Sequence, residues 1–203
     1  MVPARLRRCV QLAVLLTFAG VHARADGLSA LWKRVTWGAP SSTLAPHFPN
    51  ALGLATPIDF GDSYTNVVLR DVRVGGVPLV VFFQMDKATG GLKRIQLERQ
   101  RHGVNPPAFR AVLEGLAGEL GVPDVLCGVA PVPDSGYQAA AERVWRRDDV
   151  VIRAIFRDTT VEAYEGCLAG DPSLGACGLT GQLLVRISPP SGDAGACPAP
   201  PLR

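Results

Sequence analysis

The chain has 203 residues, 47% of them hydrophobic, with 21 Lys+Arg against 18 Asp+Glu. That length is enough for one domain with a substantial core, and the apolar fraction excludes wholesale disorder. The formal charge of +3 is concentrated at the N-terminus, so a global attraction to nucleic acid is not expected.

Residues 1–25 read as a secretory leader. Arg5, Arg7 and Arg8 form a positive start, Cys9 to Val21 is apolar apart from Gln11, Thr17 and Gly20, and Ala23-Arg24-Ala25 is an A-x-A cleavage signal. The alternative is a membrane anchor, which asks for about 20 apolar residues, more than this run supplies. No second long apolar run follows, so the mature chain is expected to begin at Asp26 without a transmembrane segment, in the periplasm or outside the cell. Cleavage removes Arg5, Arg7, Arg8 and Arg24, so 17 of the 21 Lys+Arg remain against all 18 Asp+Glu and the charge becomes −1.

Cys127, Cys167, Cys177 and Cys197 then remain. In an exported chain they favour two disulfides among three connectivities. The preferred pairing joins Cys167 to Cys177 around a short loop, and Cys127 to Cys197 between a mid-chain loop and the tail. There is no C-x-x-C pair and no neighbouring histidine, so neither a metal site, a redox-active pair nor a cofactor is expected.

Along the chain, Trp32 to Phe48 is an entry segment in which Ser41 caps a short helix that Pro46 ends. Residues 49–63, with their Pro, Gly, Asp and Ser, read as loop. Val67 to Val74 is rich in β-branched residues, Gly75-Gly76 is a two-residue hairpin signal, and Val77 to Met85 returns as a nearly continuous apolar strand. Leu92 to Arg99 alternates, with Ile95 and Leu97 on one face and Arg94, Gln96 and Glu98 on the other.

The clearest helix is 106–120. Asn105 caps it, Pro106 and Pro107 fill the first turn, and Phe109, Val112, Leu113, Leu116 and Leu120 form one stripe. Gly121 and Pro123 stop it. Gly115 and Gly118 cost helix stability and suggest close approach to a sheet. Residues 122–141 read as loop, Glu142 to Arg147 and Val150 to Arg157 as a hairpin, 158–180 as a cysteine-bearing excursion, and Gln182 to Ile187 as the last strand. The expected organisation is one α+β domain over 26–188, with a mostly antiparallel sheet of about five to six strands, one main helix on one face, and a Pro/Gly-rich tail over 189–203.

No catalytic constellation emerges. His47 and His102 sit in no metal-ligand or catalytic spacing, and there is no nucleophile elbow or phosphate loop. Turn chemistry accounts for Asp59 with Asp62 and for Asp148 with Asp149. Trp37 and Trp145 read as packing residues. The predicted strands do carry many cations: Arg70, Arg73, Lys93, Arg94, Arg99, Arg143, Arg146, Arg147, Arg153 and Arg157. If Arg94, Arg146, Arg153 and Arg157 share the face opposite the helix, that face suits an anionic partner.

The segments Trp37-Gly38, Gly91 to Leu97, Leu113 to Leu120 with Gly121-Val122-Pro123, and Trp145 followed by Val150 to Phe156 resemble a pattern of uncharacterised secreted bacterial α+β proteins. The chain is also similar to the SmpA/OmlA-type outer-membrane assembly modules, although it has no lipid-anchor cysteine. The resemblance implies a small sheet with helices and supplies no catalytic residues. The reading is therefore a non-enzymatic binding or accessory module whose partner is an envelope protein or an anionic ligand. Two other readings stand beside it: a small-molecule or lipid carrier with a cleft lined by Phe82, Phe83, Phe109 and Leu113, and an enzyme whose site is assembled from scattered residues such as His102.

Overall fold

The computed structural model describes residues 27–100, 105–127, 130–132, 137–159, 182–191 and 197. The leader, His102, Cys167 and Cys177 lie outside the described residues. A short helix α1 (Ser29–Lys33) and a turn of 3-10 helix (Ser41–Thr43) precede strands β1 (Leu52–Asp59), β2 (Ser63–Val74), β3 (Val77–Asp86) and β4 (Leu92–Glu98). The long helix α2 (Pro106–Leu120) follows, then β5 (Val125–Cys127), β6 (Ala130–Val132), β7 (Tyr137–Arg147), β8 (Val150–Thr159) and β9 (Gln182–Ser188).

The fold is α+β, with one main helix and one antiparallel open sheet. The five to six strands expected from the sequence undercount it. Eight strands lie side by side in the order β1-β2-β3-β4-β9-β8-β7-β5, and β6 pairs with the far end of β7. The missing strands lie at the edges. β1 falls inside the segment read as loop, is exposed almost throughout, and meets β2 only near its two ends, around a break in register. An edge strand that buries neither face has no reason to alternate and can hold Pro57. β5, β6 and the first residues of β7 likewise fall in the segment 122–141.

The chain runs twice through the same course, a helix and then a strand meander. The two meanders join where β4 pairs with β9, with Ile95 opposite Ile187 and Leu97 opposite Val185. On the helix side of the sheet Val81, Phe83, Met85, Ile95, Leu97, Ile152, Val185 and Ile187 are fully buried, with Trp145 at 1%. α1 and the segment after it cover the first meander there, and the Phe48 ring lies 5.0 Å from that of Phe83. The Trp37-Gly38 entry is held to the start of β4, where Gly38 N donates to Leu92 O and Leu92 N to Ala39 O.

α2 forms over the residues expected and for the expected local reasons. Asn105 Oδ1 accepts from Ala108 N at 2.9 Å, and Gly121 closes the helix at φ 81°. Phe109, Val112 and Leu116 are buried, with Leu113 and Leu120 half-buried. Arg147 donates to Leu120 O from Nε at 2.9 Å and from Nη2 at 2.6 Å, so a cation from β7 satisfies a carbonyl at the end of the helix. Trp145 Nε1 donates to Gly121 O at 2.8 Å.

The helix meets the sheet at backbone distance. A Cβ on Gly115 would stand 2.2 Å from Gly75 N, and one on Gly75 would stand 1.7 Å from Ala111 O. Gly75 also turns the β2–β3 hairpin at φ 55°. Gly118, by contrast, faces open space, so the close approach expected of both helix glycines belongs to Gly115 alone.

On the opposite face Cys127, Val144 and Val151 form a smaller buried cluster. Cys127 and Cys197 are at disulfide-bonding distance, with Cα atoms 5.4 Å apart. Non-reducing peptide mapping of the oxidised protein is expected to recover Cys127 linked to Cys197, and a different partner for Cys127 would refute the pairing. Gly115→Ala is expected to lower unfolding free energy by about 1–3 kcal/mol through overpacking. Gly118→Ala is expected to raise it by up to about 1 kcal/mol through helix propensity, as read from urea unfolding.

Candidate functional site

Strand alternation sends Arg94 and Gln96 of β4, Arg186 of β9, Arg153 of β8, and Glu142 and Val144 of β7 to the face opposite α2. Register does the rest. Gln96 lies opposite Arg186, and Arg186 lies directly opposite Arg153. Like charges facing each other across a ladder are unfavourable, and each arginine has a neighbour that tempers this. Arg153 forms an ion pair with Glu142, which is only 3% exposed. Arg186 Nε donates to Gln96 Oε1 at 2.6 Å.

Arg94 sits one step along β4. Its guanidinium holds both Asp62 oxygens, and its Nε donates to buried Gln84. Lys93 occupies the irregular step where pairing passes from Gln84 with Arg94 to Met85 with Leu92. It reaches Asp62 at 3.0 Å and Asp86 at 3.3 Å. Partial burial alone would raise the Asp62 carboxyl. The hydrogen bonds from Arg94, Lys93 and Ser63 outweigh that and hold it well below the usual carboxylate range. The Asp62 bond in turn raises the Lys93 ammonium.

The cations Lys93, Arg94, Arg153 and Arg186 line one depression of about 440 Å³, walled on one side by Ser188–Ser191 as the chain leaves β9. Among the described residues no acid lines it. The arrangement brings three guanidinium groups and an ammonium, each already holding a neighbour, to the border of a single space, where their summed charge suits an oxyanion. Among the described residues it offers no nucleophile paired with a base. Among the described residues no group of three or more His, Cys, Asp or Glu is placed to hold a metal ion. Nor is any helix there long and apolar enough to cross a membrane.

Of the four arginines read from the sequence, Arg94 and Arg153 meet in this depression. Arg146 is exposed farther along β7, where its backbone N–H donates to Asp124. Arg157 pairs through its backbone with Gln182 and Ala139, and its side chain lies outside the described residues. Arg186 was not among the cations read from the sequence. Its signal was one cation among apolar residues in Leu183-Leu-Val-Arg-Ile187.

Phe82, Phe83, Phe109 and Leu113 do not share one cleft. Phe83 is buried on the helix side, while its strand neighbour Phe82 points to the other face and meets Phe60 edge-on. Phe109 stacks on Phe156 with centroids 5.2 Å apart. His47 is exposed.

Comparison of the chain with protein-family models, with curated proteins and with solved structures returned no match.

Because the Asp62 carboxylate is favoured in the folded state, its stabilisation is complete above the ordinary aspartate value of about 3.9. It is lost as the pH falls below that value towards the depressed folded one. Asp62→Asn is therefore expected to lose less stability than the parent between neutral pH and about pH 2.5, as read from urea midpoints. An equal loss in both proteins would contradict the Asp62 contacts.

Proposed function

We propose that this chain is an exported, non-enzymatic binding module of the cell envelope that seats an anionic group of its partner in the Lys93–Arg94–Arg153–Arg186 depression. The observation that carries the reading is the facing pair Arg153 and Arg186. Each of the two guanidinium groups holds a neighbour of its own, Arg153 the buried Glu142 and Arg186 the Gln96 amide, yet setting them opposite each other beside a third concentrates positive charge across one ladder. An incoming anion gives that arrangement a use. The Ala23-Arg24-Ala25 leader signal and the Cys127–Cys197 pair support an oxidising compartment. The resemblance to secreted α+β proteins and to SmpA/OmlA-type modules supports an accessory role.

The choice of variant matters. Reversing Arg153 would leave the buried Glu142 beside a second carboxylate and unfold the site for structural reasons. Lys93→Gln with Arg186→Gln removes two positive charges and leaves that pair intact. Crosslinking of the tagged, exported chain in its host is expected to recover one or two envelope proteins, and the double variant is expected to lose them while keeping its thermal midpoint. Undiminished recovery would overturn the site. Retention of the chain in the cytoplasm would overturn the compartment.

A further inference from the structure

We propose that the hollow between α1 and β2, on the other side of the sheet from the cationic depression, is a second binding site that takes a small carboxylate with an apolar body. The hollow measures about 380 Å³, within the range of small-ligand pockets. Its floor is apolar. Leu28, Leu31 and Phe48 are 5%, 5% and 6% exposed, and Leu69 and Val72 of β2 complete it. Its rim is cationic, with Arg34, Arg70 and Arg73, and among the described lining residues the one acid is Asp71.

The wall formed by β2 is built irregularly at this place. Leu69 lies opposite Val81 and Val72 opposite Leu79, so three steps on β2 match two on β3, and Arg70 with Asp71 face Val80 alone. In a regular strand Leu69 and Val72 would point to opposite faces. The bulge keeps both on the core side, under the hollow, and displaces Arg70 and Asp71 to its mouth. Asp71 adopts φ 61° to allow this, a left-handed conformation that costs a non-glycine residue and that gathers at binding sites. Both Arg70 and Asp71 are exposed, and among the described residues neither side chain has a hydrogen bond or ion pair. Arg73 is already held by Gly76 O at 2.9 Å.

These features divide the ligand in two. The floor accepts an aliphatic or aromatic body that water would otherwise surround. The mouth accepts one carboxylate, for which the Arg70 guanidinium provides a two-toothed donor. A neutral amphiphile gains only the first interaction, and inorganic phosphate only the second.

The test is a methyl-NMR titration of the whole chain with sodium octanoate at neutral pH. Saturable shifts are expected at Leu28, Leu31 and Leu69. Octanol, octylammonium and inorganic phosphate are each expected to bind at least about tenfold more weakly, the size of one charge-assisted contact. Arg70→Glu is expected to weaken octanoate by a similar factor, whereas Arg110→Glu, on the exposed side of α2, leaves it unchanged. Equal affinity for octanol, unaltered binding by Arg70→Glu, or the absence of saturable shifts at these methyls would each overturn the proposal.

Discussion

The fold depends on the pairing of β4 with β9. Ile95, Gln96, Leu97 and Glu98 there meet Ile187, Arg186, Val185 and Leu184, and among the described residues no other strand pair connects the first meander to the second. The contact unites residues some 90 positions apart, so forming it carries a loop-closure cost that packing must offset. α2 supplies much of that packing because it touches both halves. Its start stacks Phe109 on Phe156, its middle lies on Gly75, and its end receives Trp145 and Arg147. The helix therefore acts as a splint across the seam, and Gly115 sets how closely it lies.

The same seam determines what each face can be. Odd-numbered residues of β4 and β9 meet as Ile95 with Ile187 and Leu97 with Val185, and fuse two half-cores into one. The intervening even-numbered residues bring Gln96 to Arg186 on the other face, and β8 adds Arg153 beside them. A core and a cationic depression are thus the two sides of one register. A slip of one residue at β9 would exchange them, placing Arg186 in the core and Val185 in the depression.

The local parts of this fold were legible in the sequence. α2 could be read to its ends because cap, prolines, apolar stripe and stop glycine all lie within it. The β2–β3 hairpin could be read from Gly75-Gly76, and Arg94 and Arg153 from alternation. Three strands were not legible: β1 is exposed almost throughout, and β5 and β6 are three residues each, too short to show a period. The site was half legible. Alternation shows which residues share a face of one strand, but only the non-local register of β4, β9 and β8 shows that Arg94, Arg153 and Arg186 converge. The bulge at Arg70-Asp71 did leave a trace. Leu69 and Val72 are both apolar at a spacing of three, and a regular strand cannot bury both on one side.

The Cys127–Cys197 pair has a mechanical consequence. With the bond formed, the 70 residues of separation it spans become a closed ring that includes β6, β7, β8 and β9. A pulling force applied between the two ends of the chain passes through the sulfur atoms and cannot lengthen anything inside the ring. Only the chain up to Cys127, which holds the first meander, α2 and β5, and the residues after Cys197 can extend. Under tension the oxidised molecule would therefore yield at the seam between β4 and β9 and leave β6 to β9 shut, whereas the reduced molecule would pay out both meanders.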